Sequence, residues 1–241
     1  MPPDNPLHHL GITPTYLGQV HGTLAALKRM RPRDDCTIVQ VGSALRYRAI
    51  PLQSAYCAAK FAIRGFTDSL RTELKHEGSR IRLTMVQLPA VNTPQFDWAR
   101  SRMSNKAQLL APSFQPEAIA REVVRAALEA PRELWIARSA LKAIIGTMLL
   151  PDSGDRILAK EGYSGQLASE PRDVGRPDNL FEPPPGDPGA QGRFDSRAIG
   201  DVHGFDPNGC VPGRYAPCSG FSQELSSSAA RQARAGRVVE R

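Results

Sequence analysis

Two short runs rich in β-branched and aliphatic residues, 36–41 (CTIVQV) and 81–88 (IRLTMVQL), lie on either side of one long helical stretch, 54–76 (SAYCAAKFAIRGFTDSLRTELKH). Neither run alternates apolar with polar, so each suits a strand buried on both faces. A helix between two such strands carries the chain back to the same edge, which makes the strands parallel. The stretch 15–30 (TYLGQVHGTLAALKRM) adds a preceding helix, with Leu17, Val20, Leu24, Leu27 and Met30 on one stripe and Pro32 as its stop. Beyond Pro89 and a polar loop with Asn92, Thr93 and Pro94, the pattern predicts a helix over 116–130, a strand over 134–137 and an amphipathic segment over 140–150. Within the long helix, Ser54 is the expected cap and Gly78 the expected stop. The order helix, strand, helix, strand, helix, strand is an α/β signature.

Chemistry concentrates in residues 39–60, VQVGSALRYRAIPLQSAYCAAK. Tyr56 and Lys60 are four apart on the expected helix and share a face. Ser43 ends the first expected strand, where open parallel sheets bind ligands. A free phenol has a pKa of about 10, too high for efficient proton exchange at neutral pH, and a nearby ammonium would lower it. A serine hydroxyl can donate to an oxygen on which charge develops. Tyr-x-x-x-Lys alone recurs by chance, as a packed tyrosine beside a solvated lysine. Three added features give it meaning: a serine thirteen positions before the tyrosine, a buried strand leading into that serine, and a second buried strand ending in a Pro-containing turn.

This segment resembles the active-site region of the short-chain dehydrogenase/reductase family. The resemblance runs over about residues 15–137 and implies a Rossmann-like, doubly wound parallel sheet. It implies a catalytic set of Ser43, Tyr56 and Lys60, with Tyr56 as general acid/base, Ser43 orienting the substrate carbonyl, and Lys60 lowering the tyrosine pKa. It implies NAD or NADP as cofactor, with Tyr56, Lys60, Pro89 and Thr93 on the nicotinamide side. The Pro-Gly-x-x-x-Thr pattern of the family stands here as Pro89-Ala90-Val91-Asn92-Thr93, without the glycine, and Pro89 could equally be a plain strand terminator. Thr15 stands where the family often has an asparagine before Gly18, and an N-cap role suits it better than a proton relay. Phe96, Trp98 and Met103 fall where the family has a substrate-covering loop, and packing explains them equally well. The resemblance also implies a homodimer or homotetramer through the helix 54–76.

The glycine-rich turn that holds the cofactor pyrophosphate in this family is not found in the sequence. The expectation is therefore a partial α/β catalytic domain over 15–150 that lacks its N-terminal strands. Residues 1–14 would form an N-terminal loop, and 151–241 a Pro-, Gly- and Arg-rich tail, mostly disordered. Two readings follow: an oxidoreductase moving a hydride between nicotinamide and a carbonyl or secondary alcohol, and a truncated, inactive remnant that holds little or no cofactor.

Composition narrows the other classes. The net charge of +7 would suit a nucleic-acid partner, but no basic stripe interleaves with aromatics, so an arginine-rich solvated surface and no nucleic-acid role are expected. Cys36, Cys57, Cys210 and Cys218 form no CxxC pair, and His8, His9, His21, His76 and His203 show no ligand spacing, so no metal is expected. No secretory leader pattern and no membrane-length apolar run is visible, which makes a cytoplasmic protein with a small-molecule carbonyl or alcohol substrate the expectation.

Overall fold

The computed structural model describes residues 13–209 except 102, 174, 177, 180, 184 and 185. Helix α1 (Gly18–Met30) follows a π-helical turn, Thr13–Leu17, and leads into strand β1 (Thr37–Ser43). A short 3-10 turn, Ala44–Arg46, precedes α2 (Ser54–His76) and β2 (Arg82–Leu88). A loop region follows with β3 (Ala90–Val91), α3 (Gln95–Trp98), β4 (Asn105–Ala107) and β5 (Ser113–Phe114). Then come α4 (Pro116–Glu129), β6 (Glu133–Ile136), α5 (Arg138–Leu149), α6 (Pro151–Glu161), β7 (Leu167–Pro171) and β8 (Gly204–Phe205).

The main sheet has the order β1-β2-β6-β8. β1 pairs with β2 in parallel, from Thr37 opposite Arg82 to Ser43 opposite Leu88. β2 pairs with β6 in parallel, and β8 adds an antiparallel edge on β6. Helices cover both faces, as a parallel sheet requires. On one face Leu27 of α1 and Leu70 and Leu74 of α2 bury against Ile38, Ile81 and Leu83. On the other, Ala118, Ile119 and Ala126 of α4 meet Val86, Leu134 and Ile136. Each fully buried aliphatic side chain here, such as Leu134 or Ile136, contributes about 2–3 kcal/mol.

Local chemistry sets the ends of α2. Gly78 takes φ +70°, Ser79 N–H reaches Leu74 O at 2.9 Å, and Gly78 N–H reaches Lys75 O at 3.1 Å. This is the paired closure that a left-handed glycine permits at a helix end. At the start the expectation changes: Gln53 is the N-cap, with no side-chain capping bond, and Ser54 is the first helical residue. The Gln53 amide instead donates to Gln166 Oε1 at 2.7 Å. Thr15 likewise lies inside the π turn rather than at a cap.

Part of the stretch expected to be a disordered tail carries structure. α6, β7 and β8 all lie beyond residue 150, with β7 pairing antiparallel to β4. No periodic stripe announces these elements, because the segment is held by a few anchors. Phe194 and Val202 are buried, and arginines bind loop carbonyls: Arg176 reaches Phe96 O and Ala99 O, and Arg193 reaches Ala107 O. Residues 1–12 and 210–241, with His8, His9, Cys210 and Cys218, lie outside the described residues. Among the described residues no helix is long and apolar enough to cross a membrane.

Candidate active site

β1 delivers Ser43 to the carboxyl end of the sheet, where the chain leaves extended geometry. Its Oγ accepts from Leu45 N–H at 3.2 Å, which turns the backbone and leaves the hydroxyl proton for another acceptor. Gly42, just before it, is required by close approach: a methyl group there would lie 3.0 Å from Val86 O and 3.0 Å from Arg46 Nη1. Tyr56, in the first turn of α2, brings its phenol towards Ser43, close enough for the serine hydroxyl to lower the phenol's proton affinity. Lys60, one turn on, holds Nζ 5.4 Å from the centre of the Tyr56 ring. The three candidate catalytic residues thus share one corner of the fold.

The electrostatics depart from the expectation in one respect. Burial pushes the Tyr56 phenol above its ordinary value, and the Ser43 hydroxyl is what pulls it back. Tyr56 is still 38 % exposed, so this burial acts on the inner end of a partly open side chain. The Lys60 ammonium sits over the ring face instead of beside the oxygen, so its charge is directed at the π system. Lys60 is itself pushed below its usual value, first by burial and then by the nearby Arg46 charge.

Pro89 and Thr93 reach the same end of the sheet, because Leu88 lies opposite Ser43 in the register. Thr93 N–H closes a tight turn onto Val91 O at 2.9 Å. No side-chain bond joins this turn to Tyr56 or Lys60. Its anchor is a residue that looked like ordinary loop polarity, Asn92, which is fully buried. Asn92 Nδ2 donates to Asp195 Oδ1 at 2.7 Å and Gln115 Oε1 at 3.2 Å, and Oδ1 accepts from Phe194 N–H at 3.1 Å. Phe96 packs edge-on against Phe194 with centroids 5.8 Å apart, a packing role, while Trp98 and Met103 are half-buried.

Three other buried polar residues were legible only in part. Gln87 is a lone polar group in an apolar strand, and Arg46 reads in sequence as one of several surface arginines. Both are buried beside the site, at 0 % and 1 % exposure. Gln166 is buried at the start of β7's approach and binds Pro51 O at 2.9 Å and Gly162 O at 2.7 Å, which ties the C-terminal segment to the loop leading into α2.

The sequence is similar to several known proteins. Residues 12–104 match the short chain dehydrogenase family. An oxidoreductase of Bacillus subtilis strain 168, YxnA, is 30 % identical over 169 residues, covering 69 % of this chain and 48 % of the relative. A Xenopus laevis protein named hydroxysteroid 11-beta-dehydrogenase 1-like protein A is 33 % identical over 145 residues, covering 60 % of this chain and 47 % of the relative. The chain thus spans about half the length of these curated relatives. A solved short chain dehydrogenase from Burkholderia cenocepacia J2315, in complex with NADP, aligns over 64 % of this chain and 60 % of its own, at 22 % identity and a TM-score of 0.48.

Proposed function

We propose, from the premise that over residues 12–104 this chain is a member of the short-chain dehydrogenase/reductase family, that it works as an NAD(P)-dependent oxidoreductase. The reaction is hydride transfer between a nicotinamide and a carbonyl or secondary alcohol. The observation that carries this reading is the meeting of Ser43, Tyr56 and Lys60 at one strand end, with Lys60 Nζ 5.4 Å from the centre of the Tyr56 ring.

The residues present fit the nicotinamide-ribose end of such a cofactor. Lys60 offers an ammonium whose described neighbours are a ring face and another cation, which leaves its N–H groups for ribose hydroxyls. Val41, on the same face of β1 as Ser43, is 44 % exposed and offers an apolar surface beside these polar groups. Pro89 and Thr93 would border the carboxamide. When bound, the cofactor supplies the hydride.

The chain's own groups manage the oxygen. Ser43 Oγ–H donates to the substrate oxygen and fixes its position. Tyr56 Oη–H delivers a proton to that oxygen as negative charge develops on it, and takes the proton back in the oxidative direction. A positioned acid/base of this kind is worth about 10²–10⁴ in rate. The partly buried phenol holds its proton firmly, which suits the reductive direction.

Because Tyr56, Lys60, Pro89 and Thr93 address one end of the cofactor, NADPH or NADH should bind this chain weakly, near ~1 mM, or about −4 kcal/mol. The test is consumption of millimolar NADPH and NADH with a panel of aliphatic, aromatic and steroid ketones. Ketone-dependent oxidation is expected with at least one pair. A folded chain inert with both cofactors across the panel would overturn the proposal, and quenching of Trp135 fluorescence at micromolar cofactor would overturn the weak-binding estimate.

A further inference from the structure

Behind the site lies a buried cation that the mechanism above does not use. Arg46, on the 3-10 turn three residues after Ser43, is 1 % exposed, and among the described residues no carboxylate lies within ion-pair distance of it. Its Nε and Nη2 have no hydrogen-bond partner among the described residues. Its Nη1 does: with the Gln87 amide turned to suit its neighbours, Gln87 oxygen accepts from Arg46 Nη1 at 2.9 Å and Gln87 nitrogen donates to Ser43 O at 3.0 Å. Gln87 is fully buried on β2, opposite Gly42. The chain of contacts Arg46–Gln87–Ser43 therefore ends on the main chain of the serine itself.

A guanidinium in this place is costly for the fold, since an apolar side chain of similar volume would bury with no charge to desolvate. The surroundings do not neutralise it. Glu133, the carboxylate that most offsets Arg46, spends Oε2 on Tyr47 Oη–H at 2.7 Å and Trp135 Nε1–H at 2.8 Å. Arg64 lies over the Tyr47 ring at 4.1 Å. Asp68 is shared among Arg71 at 2.5 Å, Arg132 at 2.8 Å and Arg64 at 3.7 Å. Positive charge outweighs negative between α2 and the sheet. Lys60 is the member of this group that reaches the site.

We infer that Arg46 and Gln87 are positioning residues of this site: Gln87, braced by Arg46, fixes the Ser43 main chain and so the hydroxyl that faces Tyr56. The inference rests on the assignment of Ser43, Tyr56 and Lys60 as the reacting set. The charged and titratable groups that act on Arg46 are Glu133 on β6, Tyr47 just after the turn, and Arg64 and Asp68 on α2.

The test reads the Ser43 turn directly and needs neither cofactor nor turnover. Gln87→Leu removes the donor to Ser43 O, so amide exchange at Leu45, whose N–H is held by Ser43 Oγ, should speed several-fold while exchange at Ile136 in β6 stays that of the parent. Arg46→Met leaves Gln87 without its brace and should speed Leu45 exchange by less, and Arg46→Lys should restore the parent rate. If Leu45 exchange is unchanged in Gln87→Leu, or rises there no more than at Ile136, the bracing is wrong. A chain that shows the bracing but reduces no carbonyl would sink the oxidoreductase assignment and leave the bracing standing.

Discussion

Replacing Asn92 with alanine should loosen the segment 191–205 from the turn that follows β2, and the cost can be worked from its partners. Phe194 N–H is buried and bonded only to Asn92 Oδ1 among the described residues, so removing the acceptor leaves a dry donor, at about 2 kcal/mol. The bond to Asp195 is charge-assisted, but Asp195 is exposed and can recruit water, so its loss costs about 1 kcal/mol. The long bond to Gln115, at 3.2 Å, adds about 0.5 kcal/mol. The total is about 3–4 kcal/mol, or a drop of about 10 °C in Tm for a domain of this size. Urea denaturation of parent and Asn92→Ala chains gives the free energy, and hydrogen exchange at Phe194 gives its location. Asn92→Asp is the sharper variant. It keeps an acceptor for Phe194 N–H but places a carboxylate against Asp195, so its deficit should shrink as the pH falls and the pair is protonated. A loss below about 1 kcal/mol in Asn92→Ala, with Phe194 exchange unchanged, would refute the anchoring role.

Three further outcomes follow from the same reasoning. Burial lowers the Arg46 pKa to about 10, so at neutral pH the fold carries an under-compensated charge, and Arg46→Met should raise stability by about 1–2 kcal/mol in urea denaturation despite the lost bond to Gln87; a destabilised variant would contradict this. The Asp34 carboxyl is held below its ordinary value by hydrogen bonds from Ser79 Oγ and Arg80 N–H, so its contribution is present above pH 3.8 and is lost as pH falls through its lower folded value. Asp34→Asn should therefore flatten the acid limb of a stability–pH profile, and an unchanged limb would remove Asp34 from the account. The outer stripe of α2 presents Ala58, Phe61, Ala62 and Gly65, with Phe61 44 % exposed, and we propose it as the contact of a homodimer; Phe61→Glu should halve the mass seen by light scattering, and a mass unaffected by the variant would exclude that contact.

Much of the parallel sheet was legible because its strands are apolar runs and its helices keep a 3.6-residue period. Residues 54–76 match α2 end for end, and the strand over 81–88 differs from β2 by one residue. The site trio was legible for a different reason: Tyr56 and Lys60 are related by one helical turn, and Ser43 by a strand end, so local geometry fixes all three. What escaped was non-local. Asn92 acquires its role from Phe194 and Asp195, about a hundred residues on, and no local pattern encodes that meeting. β8 is two residues long and gains its place from Trp135 and Ile136, not from its own periodicity. Arg46 looked like its neighbour Arg48, but the 3-10 turn sends the first inward and leaves the second to bind Asp155 at 2.6 Å. The tyrosine's electrostatics were misjudged because a spacing of four places Lys60 beside the ring and does not say which part of the ring it meets.

The most direct test of the reacting set is Tyr56→Phe, assayed for ketone-dependent NADPH or NADH oxidation at saturating cofactor beside the parent chain. The change removes one oxygen and keeps the ring under Lys60, so cofactor binding should persist while turnover falls by about 10²-fold or more. Turnover within a few-fold of the parent would show that another group handles the proton, and the assignment of Ser43, Tyr56 and Lys60 would fail with it.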